Sequence, residues 1–139
     1  MIPLDPTDIP AFAAALVEID PWKRLGYKAG QLARYLAMDD PHLIRMAVPG
    51  QGLISLRTVW LRGPYIELLT VLPHAQGTGI GRQMVEWAAS QGGDNLWACV
   101  SAFNAPARAF YARMGFVETT ILSGLVKPGE DEILLRRTG

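Results

Sequence analysis

Hydrophobic residues in the first forty positions recur at helical spacing, whereas those between positions 43 and 72 form short runs typical of strands. The helical stripe consists of Ile9, Phe12, Leu16 and Ile19. It predicts an amphipathic helix that Thr7 or Asp8 caps and that ends at about residue 18. A second short helix is expected over about residues 29–38. The proline-containing segment 20–26 between them is expected to be irregular.

Two turn-forming sequences divide the strand region into three predicted strands, at 43–48, 53–61 and 65–72. These turns are Pro49-Gly50-Gln51-Gly52 and Arg62-Gly63-Pro64, so neighbouring strands are expected to pair as antiparallel hairpins. The later elements are a helix from about 80 to 90, a strand at 96–100, a helix at 106–114, and strands at 116–122 and 133–137. A long loop, 123–130, is expected between the last two strands.

This order of elements predicts a single α/β domain with a mixed, mostly antiparallel sheet and helices on both faces. The hairpins supply the antiparallel part. The helix between strands 65–72 and 96–100 is a crossover connection, which makes that strand pair parallel. All 139 residues are assigned to this one domain.

Composition and charge narrow the possible classes of function. Half of the residues are hydrophobic, 19% are charged and the formal net charge is zero, so binding of nucleic acid or of a membrane surface is not expected. Cys99 is the single cysteine, and neither His42 nor His74 lies in a metal-ligand spacing. No apolar run reaches the ~18 residues of a membrane span, and the start does not read as a signal peptide. A cytoplasmic protein without a metal is expected.

A glycine-rich segment after strand 65–72 carries the first chemical signal. It reads Gln76-Gly77-Thr78-Gly79-Ile80-Gly81-Arg82 and opens the next helix. The first N–H groups of a helix have no partner inside it and the helix dipole adds partial positive charge, so such a loop suits a diphosphate. The loop lacks the Gly-Lys-Ser/Thr ending of NTPase loops and the third glycine of the dinucleotide fingerprint. A plain glycine-rich helix start is the alternative.

A second segment, from Asn104 to Phe116, contains an asparagine, a small residue, the pair Phe110-Tyr111 and the pair Gly115-Phe116. Together with the glycine loop and the strand before it, this segment resembles the two signatures of the GNAT superfamily of N-acetyltransferases. The loop matches the family pattern of glutamine or arginine, two residues, glycine, one residue, and glycine or alanine. The resemblance covers about residues 43–137, and the first forty residues match weakly.

The resemblance implies that the central strand and the strand after the glycine helix splay apart, and that acetyl-CoA lies in the cleft as co-substrate. The backbone expected to bind its pantetheine arm is that of Leu69, Thr70 and Val71. The residues expected at the diphosphate are Gln76, Gly77, Thr78, Gly79, Ile80, Gly81 and Arg82. Arg82 and Arg108 would add positive charge nearby, and Asn104 would fix the pantetheine or an ordered water.

Acetyl transfer requires that the amine lose a proton and that the leaving thiolate gain one. Tyr111 shares a helical face with Ala107 and Met114, so it is expected to point towards the sheet and the cleft. A phenol has a pKa of about 10 and is still protonated when a thiolate leaves, so Tyr111 is the candidate general acid. The alternative is a tyrosine that only packs.

Glu67 is the candidate general base, because it lies in a strand whose other members are almost all apolar. A carboxylate in such a place is costly unless it is hydrogen-bonded or functional. The alternatives are a structural glutamate and deprotonation of the amine through water alone.

Other residues give weaker signals. The segment Trp22-Lys23-Arg24 and Tyr27 lie in the region that walls the acceptor pocket in the family, although Trp22 could simply pack against the sheet edge. Arg57 and Trp60 could line the same pocket or form an ordinary surface pair. Cys99 is expected to be inert packing, and His74 is expected to be solvated.

The function expected from the resemblance is N-acetylation of a primary amine on a small molecule or a peptide. One alternative is a non-catalytic module that senses acetyl-CoA, and another is an enzyme that uses a different acyl-CoA. A homodimer is common in such proteins, although no feature of this sequence specifies one.

Overall fold

The computed structural model describes all residues from Met1 to Gly139 and contains a single seven-stranded sheet with five helices. The helices are α1 (Ile9–Leu16), α2 (Trp22–Leu25), α3 (Ala29–Ala37), α4 (Ile80–Ala89) and α5 (Ala105–Arg113). The strands are β1 (Ile2–Pro3), β2 (Leu43–Val48), β3 (Gly52–Arg57), β4 (Tyr65–Val71), β5 (Asn95–Ser101), β6 (Val117–Lys127) and β7 (Glu130–Thr138). No helix has the length and apolar composition that a membrane crossing requires.

The strand order across the sheet is β1-β2-β3-β4-β5-β7-β6. All neighbours pair antiparallel except β4 and β5, which are parallel. The prediction of a mixed, mostly antiparallel sheet with one parallel pair is therefore confirmed. The crossover helix α4 is the element that makes the parallel pair possible, because a tight turn cannot join parallel strands.

Helices cover both faces of the sheet, and each face has its own core. One core joins α4 and α5 to the sheet through residues such as Met84, Val85 and Tyr111. The other joins α1 and α3 to the opposite face through residues such as Phe12 and Leu36.

Two predicted bounds near the N-terminus differ from the structure. The first helix is preceded by a 3-10 turn, Pro6–Asp8, which Asp5 caps. Asp8 is the N-cap residue of α1, one of the two predicted, but its side chain makes no capping hydrogen bond. The Asp5 carboxylate accepts a hydrogen bond from the Thr7 N–H at 2.9 Å. The segment that was expected to be irregular contains α2, which Gly26 ends with a φ of 81°.

The predicted strand 53–61 was too long, because β3 ends at Arg57 and not at residue 61. Trp60 lies beyond the end of β3, and its ring stacks on Tyr65 with ring centroids 4.8 Å apart. Its ring also meets the edge of Trp97 at 5.4 Å. This aromatic packing, together with the positive φ of Arg62 at 55°, turns the chain before β4.

The expectation of a long loop at 123–130 was wrong, because β6 continues to Lys127 and β7 begins at Glu130. The reversal uses Pro128 and Gly129, and Gly129 has a φ of 82°. Ladder pairing passes from Leu122 to Lys127 with an irregularity between them. Residues 123–126 are therefore a wide bulge of the strand, and this bulge reaches the cleft described next.

Candidate active site

The cleft begins where β4 and β5 separate. Their ladder contains only the pairs Tyr65 with Trp97 and Ile66 with Ala98. Beyond Ile66, β4 remains paired with β3 along its other edge, as far as Val71. One edge of β4 from residue 67 to 71 therefore has no strand partner. The Val71 carbonyl accepts a hydrogen bond from Gln76 Nε2 at 3.2 Å, and the other backbone polar groups on this edge are open to a ligand. This is the splayed pair that the sequence resemblance implied.

A β-bulge at Glu67 accompanies this separation. Ser55 and Leu56 are adjacent on β3, yet they pair with Leu68 and Ile66, so Glu67 is the extra residue on β4. The bulge changes which face each side chain takes. Ile66 belongs to the core under α4 and α5, whereas Leu68 belongs to the core under α1 and α3. The extra residue thus aims Glu67 into the cleft region, as bulges beside active sites often do.

The glycine loop lies at the open end of β4. A 3-10 turn, Pro73–Ala75, leads into it, and Gly77 and Gly79 have φ values of 78° and 86°. A Cβ on either glycine would meet no atom within 4 Å, so the positive φ and not crowding requires glycine. The Thr78 hydroxyl donates to the Ala75 carbonyl and fixes the turn between the two glycines.

Gly81 has a different structural reason. A Cβ there would approach the Phe110 ring to within 3.0 Å. The missing side chain lets α5 pack closely against the first turn of α4. The two sequence signatures, which are separated along the chain, therefore touch each other at Gly81 and Phe110.

The N-terminus of α4 presents unpaired donors. Each backbone N–H from Gly77 to Arg82 lacks an acceptor in the protein, and Gly79 provides no side-chain cap. The next N–H, that of Gln83, donates to the Gly79 carbonyl. A row of free N–H groups at the positive end of a helix dipole, next to open space, fits a diphosphate.

A cavity of about 240 Å³ lies against the splayed strands, and its wall includes Leu69 of β4, Asn104 and Tyr111. Tyr111 is buried, with 6% of its surface exposed. Its hydroxyl makes no hydrogen bond to the protein. Because the Arg45 Nε atom is the one fully enclosed polar side-chain atom without a partner, the Tyr111 oxygen must reach the cavity. Burial, and then the nearby Cys99, raises the pKa of this phenol above its ordinary value, so it stays protonated.

Glu67 lines the same cavity, and both of its oxygens have partners. Arg57 Nε donates to Oε2, and the Tyr35 hydroxyl donates to Oε1 at 2.9 Å. Arg57 also donates to Asp40 at 3.2 Å. The carboxylate is therefore held in one orientation by a network that reaches from β3 to α3.

Arg82, Arg108 and Asn104, which were also predicted to bind the cofactor, differ in the contacts that they make. Arg82 is exposed and makes no ion pair. Arg108 forms a two-pronged pair with Glu118, with both distances 2.9 Å. Asn104 caps α5, where its Oδ1 accepts from the Ala107 N–H at 3.3 Å. Of the two arginines, Arg82 is the one free to meet an anion at the loop.

The acceptor side of the cavity is built from distant segments. Its walls include Trp22 and Tyr27 from the α2 region and Leu125 and Val126 from the β6 bulge. The α2 region is tied to the β6–β7 hairpin, because Arg24 pairs with Glu130 at 3.0 Å. Lys127 Nζ also donates to the Arg24 carbonyl at 3.3 Å. Arg57 and Trp60, considered for this wall from the sequence, do not line the cavity.

Sequence reasoning missed Glu132, a buried carboxylate of β7 that lines the cavity with 7% of its surface exposed. Its Oε2 accepts a hydrogen bond from the Ser101 hydroxyl at 2.7 Å. The signal in the sequence that could have identified Glu132 is its position directly before the apolar run at 133–135. Burial raises the pKa of the Glu132 carboxyl, and the neighbouring Glu130 adds to this effect against the Ser101 hydrogen bond.

Known proteins share this architecture. The family model described as "Acetyltransferase (GNAT) family" matches residues 13–116. A streptothricin acetyltransferase of Streptomyces lavendulae is 33% identical over 86 residues, which are 56% of this chain and 46% of that protein. The chain thus matches less than half the length of this relative.

Two solved structures extend the comparison. The ribosomal-protein-S18-alanine N-acetyltransferase of Escherichia coli aligns with a TM-score of 0.72 at 21% identity, over 98% of this chain and 90% of that one. A candidate streptothricin acetyltransferase of Bacillus anthracis, solved in complex with acetyl coenzyme A, aligns with a TM-score of 0.58 at 24% identity. That alignment covers 73% of this chain and 65% of the other. At these identities, the two structures support the fold.

Proposed function

Because the chain belongs to the acetyltransferase (GNAT) family, we propose that it transfers the acetyl group of acetyl-CoA directly to a primary amine. The observation that carries this proposal is the continuity of the free edge of β4 with the unpaired N–H groups from Gly77 to Arg82. One stretch of backbone thus offers an extended edge to a pantetheine arm and a row of donors to a diphosphate.

The residues present fit acetyl-CoA. Leu69, Thr70 and Val71 lie on the part of β4 that has no β5 partner. The space beside Gly77 and Gly79 is empty of protein atoms. The bound co-substrate would supply the activated acetyl thioester. In this arrangement the N–H groups of the loop bind the phosphates, and Arg82 adds positive charge beside them.

Tyr111 is the proposed general acid. Its hydroxyl opens into the cavity, is not engaged by the protein, and has a raised pKa because of burial. A protonated phenol donates its proton to a sulfur that is gaining negative charge. The neighbouring rings of Phe110 and Phe116, at 5.4 Å and 5.2 Å, hold the Tyr111 ring by edge-to-face packing.

Glu67 is the proposed acceptor of the amine proton, directly or through water. Its place on the cavity wall supports this role. Its contacts work against it, since Arg57 and Tyr35 occupy both carboxylate oxygens and a proton must displace one of these hydrogen bonds. We therefore assign Glu67 a smaller share of the rate than Tyr111.

The test is release of free thiol from acetyl-CoA in the presence of a panel of amines, measured against an amine-free control. We expect amine-dependent release and an acetylated product found by mass spectrometry. Binding of acetyl-CoA without release for any amine would support a sensing module instead. Faster release of thiol from propionyl-CoA or succinyl-CoA would identify that compound as the acyl donor and would leave the proposed site unchanged.

A further inference from the structure

The charged side chains on the cavity wall are all acidic. Its lining contains two carboxylates, Glu67 and Glu132, and no lysine, arginine or histidine. Glu67 is neutralised by Arg57 from outside the lining. Glu132 has no cationic partner, because Arg24, the arginine at this rim, is paired with Glu130. The cavity therefore carries one uncompensated acidic group.

Such a group is costly in this place. Glu132 is buried, and its single hydrogen bond comes from Ser101. A buried carboxylate without a charge partner is unfavourable unless it serves a ligand or stays protonated. Its free Oε1 atom is not fully enclosed, since Arg45 Nε is the one enclosed polar side-chain atom without a partner. The oxygen therefore opens into the cavity, where a ligand can reach it.

The surrounding walls suit a cation. Trp22, Tyr27 and Tyr65 line the same cavity. Aromatic faces attract ammonium groups, most strongly when water is excluded. A carboxylate between aromatic walls is thus a binding site for a positively charged nitrogen, and it repels an acceptor that carries its own carboxylate.

The position of Glu132 separates it from the reacting group. Glu132 faces Ser101 at the end of β5, and β7 lies two strands away from β4 in the sheet. Paired strands are about 4.8 Å apart, and β4 and β5 are no longer paired at the level of Ser101, so the backbones of β4 and β7 are at least on the order of 10 Å apart there. This spacing leaves room for one nitrogen at Glu132 and a second one at the free edge of β4.

We infer that Glu132 is a specificity-determining residue that binds a second, positively charged nitrogen of the acceptor, so the substrates are amines of the diamine or polyamine class. This inference rests on the proposed acetyl transfer. It adds that the acceptor spans the cavity, with a neutral amine at the acetyl group and an ammonium at Glu132.

The experiment compares three acceptors that share a five-carbon skeleton: 1,5-diaminopentane, 1-aminopentane and 5-aminopentanoate. We expect kcat/KM to fall in that order for the parent enzyme. Glu132→Gln keeps the size of the side chain and removes its charge. It should lower kcat/KM for the diamine by roughly 10- to 100-fold, as expected for a lost charged hydrogen bond, and leave the monoamine nearly unchanged. Glu86→Gln, on the exposed face of α4, is the charge-matched control and should not alter the ranking.

Two results would overturn the inference. One is equal use of the diamine and the monoamine by the parent enzyme. The other is an equal loss for both acceptors in Glu132→Gln, which would mean that Glu132 acts on the reacting amine or on the fold.

A binding readout keeps this test separate from that of the proposed function. If no amine releases thiol, the proposed function fails, and the melting temperature is then measured with each amine alone. Stabilisation by 1,5-diaminopentane that disappears in Glu132→Gln would still support the cation site, and its absence in the parent would reject it.

Discussion

In the proposed site, the two halves of the cleft use different groups to recognise their ligands. The half that faces the acyl donor is backbone, namely the free edge of β4 and the loop from Gly77 to Arg82. The half that faces the acceptor is made of side chains from α2, β4, β6 and β7. Backbone groups suit a ligand that never changes, whereas side chains can be exchanged to suit different acceptors without disturbing the fold. The predictions below test this difference between the two halves, starting with Tyr111, the residue between them.

Tyr111→Phe should give the largest effect, because it deletes the hydroxyl that opens into the cavity and keeps the ring. We expect turnover to fall by ~10²–10⁴, the range of a lost general acid. Acetyl-CoA affinity should change far less, because the contact matters mainly as the sulfur gains charge. Steady-state kinetics with a separate binding measurement would check this. A large loss of stability with little loss of turnover per folded molecule would show that Tyr111 only packs.

Gly79→Val should damage the donor half alone. The added side chain would fill the open space beside the loop and force a φ of 86° on a β-branched residue. We expect acetyl-CoA affinity to fall roughly 10- to 100-fold, because the side chain keeps the diphosphate away from the N–H groups and so costs about one charged hydrogen bond. Gly92→Val is the matched control, since Gly92 also has a positive φ and open space but follows α4. Equal affinities in the two folded variants would remove the loop from the site.

Glu67→Gln should have a smaller effect on rate. We expect a loss of about tenfold at neutral pH, below the range of an unrestrained general base, because Arg57 and Tyr35 already hold both oxygens of Glu67. Part of the rate should return at high pH, where the free amine is abundant. Asp40→Asn, which removes the other carboxylate on Arg57, is the control. A pH–rate profile identical to that of the parent would leave the proton transfer to water alone.

The effect of Glu132→Gln on stability should be the smallest of these changes, and it should be stabilising. Burial raises the pKa of Glu132 in the folded state, so ionisation costs stability as the pH rises above the ordinary carboxyl range. The variant should melt about 1–3 °C higher than the parent at neutral pH. The difference should vanish at acidic pH, where both side chains are neutral. A variant that melts lower at every pH would show that Glu132 is structural.

The shape of the glycine loop could be predicted from the sequence because it is local. The residues from Gln76 to Arg82 are contiguous, and their glycine spacing encodes a backbone shape directly. Tyr111 could be placed for a similar reason, since its helix is short and is bounded by Asn104 and Gly115. The parallel pairing of β4 with β5 followed from the order of the elements.

The acceptor half could not be predicted in this way, because it depends on register and on distant contacts. The orientation of Glu67 comes from a bulge that is visible only once β3 and β4 are paired. The burial of Glu132 requires its pairing with Ser101. Ser123 and Gly124 resemble turn residues, so the sequence suggested a loop where the structure has a bulged strand that lines the cavity.

The central claim is that the β4 edge and the glycine loop together bind acetyl-CoA, and thermal denaturation with CoA analogues tests it most directly. A ligand that binds only the folded state stabilises it by about 2.7 kcal/mol at a concentration 100 times Kd. We predict that millimolar acetyl-CoA and desulfo-CoA both raise Tm, because both carry the diphosphate and most of the pantetheine arm, and that adenosine raises it much less. An unchanged Tm with acetyl-CoA, or an equal rise with adenosine, would contradict the assignment of this cleft.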